Sequence, residues 1–143
     1  MTSWLLDVNV LIALLDAQHE QASRARSWFH GGRTRSWLSC PLTENGAIRI
    51  MASAGYSSPK PLREIVAHLR TLTTFGQHRF IPDGMSLLDE MAFRVDRIGS
   101  PKHLTDVYLL GLAARHGAAL ATFDARIVTD AVRSPDAEVF LIP

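Results

Sequence analysis

The chain has 143 residues, 47% of them apolar, a length and composition that fit one compact domain over residues 1–143 with a buried core. Its net charge of +1 is too small to indicate a nucleic-acid partner by itself. A single cysteine, Cys40, excludes a disulfide framework, while Asp7 and Asp16 interrupt the amino-terminal apolar run and argue against a signal peptide or membrane span, so we expect a soluble, cytoplasmic protein.

Strand and helix patterns alternate through the first third of the chain. The segment "WLLDV" predicts a strand buried on both faces, because its apolar residues are continuous rather than alternating, and "NVLIALLDA" then predicts a helix. "HEQASRARSWFH" predicts an amphipathic helix that ends at Gly31 and Gly32. "SWLSC" predicts a second strand, and "PLTENGAIRIMAS" predicts a helix that begins at Pro41.

The alternation continues to the end of the chain. "SSPKPLREIVAHLRTLTTF" predicts a loop followed by a helix, and "HRFIP" predicts a brief strand. "HLTDVYLLGLAARHG" predicts a helix that stops at Gly117, and "AALATFD" and "EVFLI" predict two more strands. A further helix is predicted over "DGMSLLDEMAFRVDRIGS", ended by Gly99, because apolar residues recur there at helical spacing: Met85, Leu88, Ala92 and Val95.

This alternation predicts an α/β fold: a three-layer sandwich with a mostly parallel sheet of four to five strands flanked by helices. Parallel strands are joined by right-handed crossovers, so their carboxyl ends gather along one edge of the sheet. Ligands bind at that edge in open α/β sheets.

Four acidic residues fall where this topology would bring them to that edge. Asp7 and Asp124 end predicted strands, while Glu44 and Asp106 lie in or beside the first turns of predicted helices. Turn formation and helix capping also explain each acid singly, although Asp7 is flanked by apolar residues on both sides. Together the four would repel one another unless a cation is present, and oxygen ligands without a zinc-like Cys/His grouping favour Mg²⁺ or Mn²⁺.

The four acids stand in the motifs "LLDVN", "LTENG", "LTDVY" and "ATFD". Their order and placement resemble the PIN-domain family, in particular the VapC-type toxins of toxin–antitoxin pairs, over essentially the whole chain. The resemblance implies a PIN-like fold and a Mg²⁺- or Mn²⁺-dependent endoribonuclease. It makes Asp7, Glu44, Asp106 and Asp124 the catalytic, metal-binding quartet, with Asn9 and Thr122 in support.

The resemblance also implies a role for each acid, and the chain departs from the family pattern at one position. Asp7, Asp106 and Asp124 would hold the metal or its waters, and Glu44 would be a ligand or would orient the attacking water. Hydrolysis would leave a 5′-phosphate and a 3′-hydroxyl. Many relatives have one more acid shortly after the last, where this chain has Arg126, so we expect one firm ion and a second that substrate recruits.

Arginine dominates the basic residues, since 13 of the 15 are Arg, and its planar fork suits contacts to phosphate. Without the four site acids the chain would carry a net charge of +5. Surface solvation and RNA binding both explain these charges. The candidates for RNA contact are Arg24, Arg26, Arg33, Arg35, Lys102, His103 and Arg126. The tryptophans Trp4, Trp28 and Trp37 are expected in the core rather than stacked on bases.

Two other readings stay open. An acid ending the first strand is also used by aspartate-nucleophile phosphatases, although these commonly carry Asp-x-Asp where this chain has Asn9. The second alternative is a catalytically weak, PIN-like module that binds RNA or a partner. The presence of all four acids argues against it.

Partners follow from the resemblance. It implies tRNA or ribosomal RNA as substrate and a small VapB-like antitoxin whose tail crosses the cleft. The amphipathic segments "SSPKPLREIVAHLRTL" and "LLDVNVLIALLDAQHEQASRARSWF" could provide its groove and a homodimer surface, although such stripes also form cores.

Overall fold

The computed structural model describes residues 2–32 and 35–143. Its strands are β1 (Ser3–Leu6), β2 (Ser36–Ser39), β3 (Gln77–Phe80), β4 (Ala118–Thr122) and β5 (Val139–Leu141). Its α-helices are α1 (Val8–Leu15), α2 (Ala22–Gly31), α3 (Pro41–Ala52), α4 (Leu62–Leu72) and α5 (Leu104–Arg115). Two 3₁₀ turns, Val95–Arg97 and Pro101–His103, precede α5.

The five strands form one sheet in the order β3-β2-β1-β4-β5, and every neighbouring pair is parallel. The α/β class and the parallel sheet predicted from the sequence are therefore confirmed. No helix among residues 2–32 and 35–143 is long and apolar enough to cross a membrane.

Two hydrophobic cores cover the two faces of the sheet. Leu6 and Trp37 belong to the core beneath α1, α2, α3 and α4, whereas Leu5 and Leu38 belong to the core beneath α5. Successive residues of a strand point to opposite faces of the sheet. Because both faces are buried here, the residues of β1 that pack into either core are apolar, which explains the continuous apolar run. The short strands end together at one edge, where the chain turns into helices or loops.

The helix predicted over "DGMSLLDEMAFRVDRIGS" is wrong. Apart from the 3₁₀ turn at Val95–Arg97, this segment is irregular. The hydroxyl of Ser86 accepts a hydrogen bond from the Leu88 N–H, and the carboxylate of Asp89 accepts one from the Met91 N–H. Such local bonds compete with helical ones.

Long-range contacts hold this irregular segment in place. Phe93 is buried and forms a bridge with Val132, while Leu88 stays 90% exposed despite its helical spacing. The Phe93 ring lies so close to Gly111 of α5 that an added Cβ there would come within 2.5 Å of Cε1. The apolar residues of this segment therefore do not form one face of a helix, and Phe93 is the residue that anchors the segment in the core.

Candidate active site

Asp7 lies where β1 ends and α1 begins. It is only 6% exposed and caps α1, accepting a hydrogen bond at Oδ1 from the Val8 N–H at 2.8 Å. Its Oδ2 accepts a second bond from the Thr122 hydroxyl at 2.7 Å. Burial raises the pKa of Asp7, and the charge of Asp124 adds to this rise, while the two hydrogen bonds oppose it.

Thr122, the last residue of β4, connects three of the predicted site residues. Its Oγ1 donates to Asp7 and accepts a hydrogen bond from the Asp124 N–H at 3.1 Å. The Asn9 Nδ2 group points at the same hydroxyl from 3.5 Å. Within the described residues the buried Asn9 Oδ1 has no hydrogen-bond partner, which leaves an acceptor free at this cluster.

Asp106 lies in the first turn of α5, as predicted. Its pKa is raised to about 6, first by burial and then by the negative charges of Asp7 and Asp124. His103 and Arg126 act in the opposite direction. The three aspartates therefore share one electrostatic site, although they come from three distant segments of the chain.

Asp124 differs from the other two because a cation of the chain already neutralises it. Arg126 places Nε 3.0 Å from Oδ1 and Nη2 3.2 Å from Oδ2. This pairing lowers the pKa of Asp124. The Arg126 side chain is 72% exposed, so it can leave without disturbing the core.

Glu44 lies in the first turn of α3 at the same edge of the sheet but belongs to a separate cluster. Ser39 at the end of β2 donates its hydroxyl to Glu44 Oε2 at 2.5 Å. The same hydroxyl lies 2.8 Å from His78 Nε2. Burial lowers the pKa of His78, against the opposing charge of Glu44. The structure thus joins the three aspartates and leaves Glu44 with Ser39 and His78.

The donor chemistry fits a hard divalent cation. The aspartates, Asn9 Oδ1 and Thr122 offer only oxygen. The pKa values of Asp7 and Asp106 are raised first by burial and then by neighbouring negative charge, and a bound cation would oppose both effects. No three His, Cys, Asp or Glu side chains in residues 2–32 and 35–143 are already arranged around a single ion position. One of the three carboxylates, Asp124, is paired with Arg126 instead.

The basic candidates divide into two groups. His103 and Arg126 lie close enough to shift the pKa of Asp106 and Asp124, and exposed Lys102 is adjacent to His103. The others on described residues have structural contacts: Arg24 donates to the Ile142 and Pro143 carbonyls, Arg26 to the Leu14 carbonyl, and Arg35 to the Trp28 carbonyl. Arg33 lies outside the described residues.

The tryptophans are core residues, as predicted. Trp37 is fully buried, Trp28 is 8% exposed, and Trp4 packs edge-on against Trp28. The Arg35 guanidinium lies 5.0 Å from the Trp4 ring and 4.3 Å from the Trp28 ring. Arg35 thus stabilises the fold through cation–π contacts.

Sequence reasoning missed Ser39 and His78. Ser39 carried one usable signal, since it ends a strand immediately before the helix that bears Glu44. His78 carried none, because its contact with Ser39 depends on the parallel pairing of β2 with β3. Spacing along the chain does not reveal a partner on a neighbouring strand.

The chain is similar to known proteins over most of its length. The PIN domain family model matches residues 4–131. Ribonuclease VapC44 of Mycobacterium tuberculosis is 41% identical over 128 residues, covering 90% of each chain. Ribonuclease VapC38 of the same organism is 38% identical and covers 96% of each chain. The crystal structure of M. tuberculosis VapC20, described as a sarcin-ricin loop cleaving toxin, is 15% identical and superposes with a TM-score of 0.59, covering 87% of this chain and 92% of that one.

Asp106 predicts a pH-dependent cost to folding. Its pKa rises from 3.8 to about 6 on folding, so the folded chain binds more protons than the unfolded chain between these values. The free energy of unfolding therefore falls as pH rises through this window, and the full cost is present above it. In chelator-treated protein, we expect Asp106→Asn to raise the free energy of unfolding by about 1 kcal/mol near neutral pH, a value discounted for partial exposure.

Urea unfolding at a series of pH values measures this gain, which should shrink as the pH falls toward that of an ordinary aspartate. Asp136→Asn, at an exposed position, controls for the loss of one negative charge. Equal stabilities of wild type and Asp106→Asn at every pH would contradict the raised pKa of Asp106.

Proposed function

The chain belongs to the PIN-domain family as a VapC-type toxin endoribonuclease, and on that premise we propose that it hydrolyses RNA with a divalent cation held by Asp7, Asp106 and Asp124. The observation that carries the proposal is the electrostatic coupling of these aspartates at the carboxyl edge of the sheet. Mg²⁺ and Mn²⁺ are the ions that an all-oxygen site prefers. The ribonuclease relatives favour this function over the phosphatase alternative.

Each polar residue of the site receives a role in this proposal. The three aspartates bind the cation or its waters, and Glu44 binds it or orients the attacking water. Thr122 fixes the Asp7 carboxylate by donating a hydrogen bond, and Asn9 presents its free Oδ1 to the site. Such supporting hydrogen bonds typically change metal affinity or activity by about 10- to 100-fold.

The cation, when bound, activates water and polarises the phosphate. Attack of water on phosphorus then breaks the P–O3′ bond. One product keeps the phosphate at its 5′ end, and the leaving oxygen takes up a proton to become a 3′-hydroxyl. The ribose 2′-hydroxyl is not the nucleophile in this scheme.

RNA binding is assigned to the positive residues around the cleft. His103 and Arg126 act on the site aspartates, and Lys102 extends this positive edge. Arg24 and Arg26 on α2 each donate to a backbone carbonyl. They remain candidates for more distant phosphate contacts through the N–H groups that these bonds do not use. Their attraction to phosphate would be independent of sequence and weakened by salt. We propose tRNA or ribosomal RNA as the substrate class, and the cytoplasm as the site of action.

We also propose a VapB-like antitoxin and a homodimer as partners. A groove between α1, α2 and α4, lined by Leu15, Leu72 and Phe75, supports antitoxin binding because it offers apolar surface. Exposed Ile50 and Leu62 on α3 and α4 support the dimer. A strictly monomeric mass by light scattering at micromolar concentration would contradict the dimer.

Removing a site carboxylate should abolish cleavage. We expect Asp7→Asn and Asp124→Asn each to lower the rate of RNA cleavage in Mg²⁺ or Mn²⁺ by at least about 100-fold, because each removes charge that holds the cation. The assay is a metal titration on total RNA, with sequencing of the cut ends to find 5′-phosphates. Asp136→Asn is the matched control and should cut like wild type; equal cutting by all four proteins would defeat the proposed site.

Arg126 is the feature that favours the alternative of a weak module, because its guanidinium already satisfies Asp124. In the active enzyme it must yield this carboxylate to the cation, or share it. An exposed ion pair is worth about 0–1 kcal/mol, so the competition should be modest.

We therefore expect Arg126→Ala to tighten Mn²⁺ binding by up to about fivefold, as measured by isothermal titration calorimetry. Arg63→Ala removes the same charge from an exposed position on α4 and should leave the affinity unchanged. An equal affinity in Arg126→Ala and wild type would contradict the competition. Cleavage that appears only in Arg126→Ala would support the weak module.

A further inference from the structure

Ser39 holds together three polar side chains from three different elements. It is the last residue of β2 and is fully buried. Its Oγ lies 2.5 Å from Glu44 Oε2, at the start of α3, and 2.8 Å from His78 Nε2, on β3. We call Glu44, Ser39 and His78 the serine relay.

The proton count fixes the direction of these bonds. An ionised carboxylate only accepts hydrogen bonds, so the one hydroxyl proton of Ser39 goes to Glu44. The Ser39 oxygen must then accept from His78, which requires a proton on Nε2. Every donor in the serine relay is thus directed toward Glu44.

Neighbouring contacts hold both ends of the relay in place. His78 pairs with Trp37 in the register of β2 and β3, and their rings lie 4.4 Å apart between centroids. The Trp37 indole is itself fixed by donating to the Phe75 carbonyl at 2.9 Å. At the other end, Thr43 closes the first turn of α3 by bonding both the N–H and the carbonyl of Cys40.

The relay lies at the same edge of the sheet as the aspartate cluster. Leu5 of β1 pairs with Leu38 of β2, so these adjacent strands end at the same level, where Asp7 follows β1 and Ser39 ends β2. The Ser39 hydrogen bond engages Oε2, one of the two Glu44 carboxylate oxygens. Without this hydrogen bond Glu44 would be a flexible side chain, and ordering it for catalysis would cost rotamer freedom.

We infer that Ser39 and His78 are positioning residues that orient Glu44 for RNA hydrolysis. The inference rests on the proposed function, since it gives the relay a purpose in the same cleft. Neither residue need touch RNA or the cation. Their effect is on the placement of one carboxylate oxygen, and productive catalysis depends on holding such groups to within about 0.5 Å.

The kinetic test uses a double-mutant cycle. We expect Ser39→Ala to lower kcat for RNA cleavage by about 10- to 100-fold with little change in KM, and Ser39→Thr, which keeps the hydroxyl, to restore part of the loss. In a Glu44→Gln background, Ser39→Ala should cost nothing further. In an Arg63→Ala background, which removes a charge from an exposed position on α4, it should cost as much as in wild type.

A second pair of variants covers the case in which the buried serine does not tolerate change. His78 is partly exposed, so His78→Gln and His78→Leu should both fold. His78→Gln keeps an N–H donor and should retain more activity than His78→Leu. Equal kcat in wild type, Ser39→Ala and His78→Leu would overturn the inference.

Nitrogen-15 NMR of the His78 ring tests the relay without metal or activity. We expect the Nε2-protonated tautomer in wild type and in Asp7→Asn, and loss of this preference in Ser39→Ala. The opposite tautomer in wild type would overturn the assigned proton order. A wild type that cuts no RNA would contradict the proposed function instead. The tautomer of the His78 ring would still report whether the relay forms.

Discussion

Mutual repulsion among carboxylates is the constraint on which the rest of the site depends. Asp7, Asp106 and Asp124 come from segments far apart in the chain, and parallel strand topology gathers them at one edge of the sheet. Partial burial strengthens the repulsion by withdrawing water. A folded chain can tolerate this arrangement only if protons, hydrogen bonds or positive charges compensate it.

Two of the three aspartates are compensated by contacts within the chain. Asp7 receives hydrogen bonds from Thr122 and the α1 backbone, and Asp124 receives the Arg126 guanidinium. Asp106 is the least compensated, and its pKa is raised to about 6. The exposed Arg126 side chain can leave Asp124 to a cation, whereas the buried Thr122 bond can persist beside one.

Sequence patterns predicted the elements whose signals are local and failed where distant contacts decide. Continuous runs of apolar residues predicted β1 and β4, and the acids after them predicted the sheet edge at which the aspartates cluster. The helical spacing around Leu88 predicted a helix that does not form. The side chains of Ser86 and Asp89 accept hydrogen bonds from nearby backbone N–H groups, and Phe93 forms a bridge with a distant part of the chain. Ser39 and His78 meet only through strand pairing, which one sequence does not display.

Two hydroxyls place carboxylates by the same device. Thr122 ends β4 and Ser39 ends β2; both are fully buried, and each donates its single proton to a carboxylate on a neighbouring element. A hydroxyl in this position fixes a rotamer without cancelling charge, whereas an arginine there would neutralise the carboxylate that a cation needs. Strand ends suit the task, because strand pairing fixes the backbone that carries the hydroxyl. The fold thereby orders negative charge while leaving it available to a metal ion.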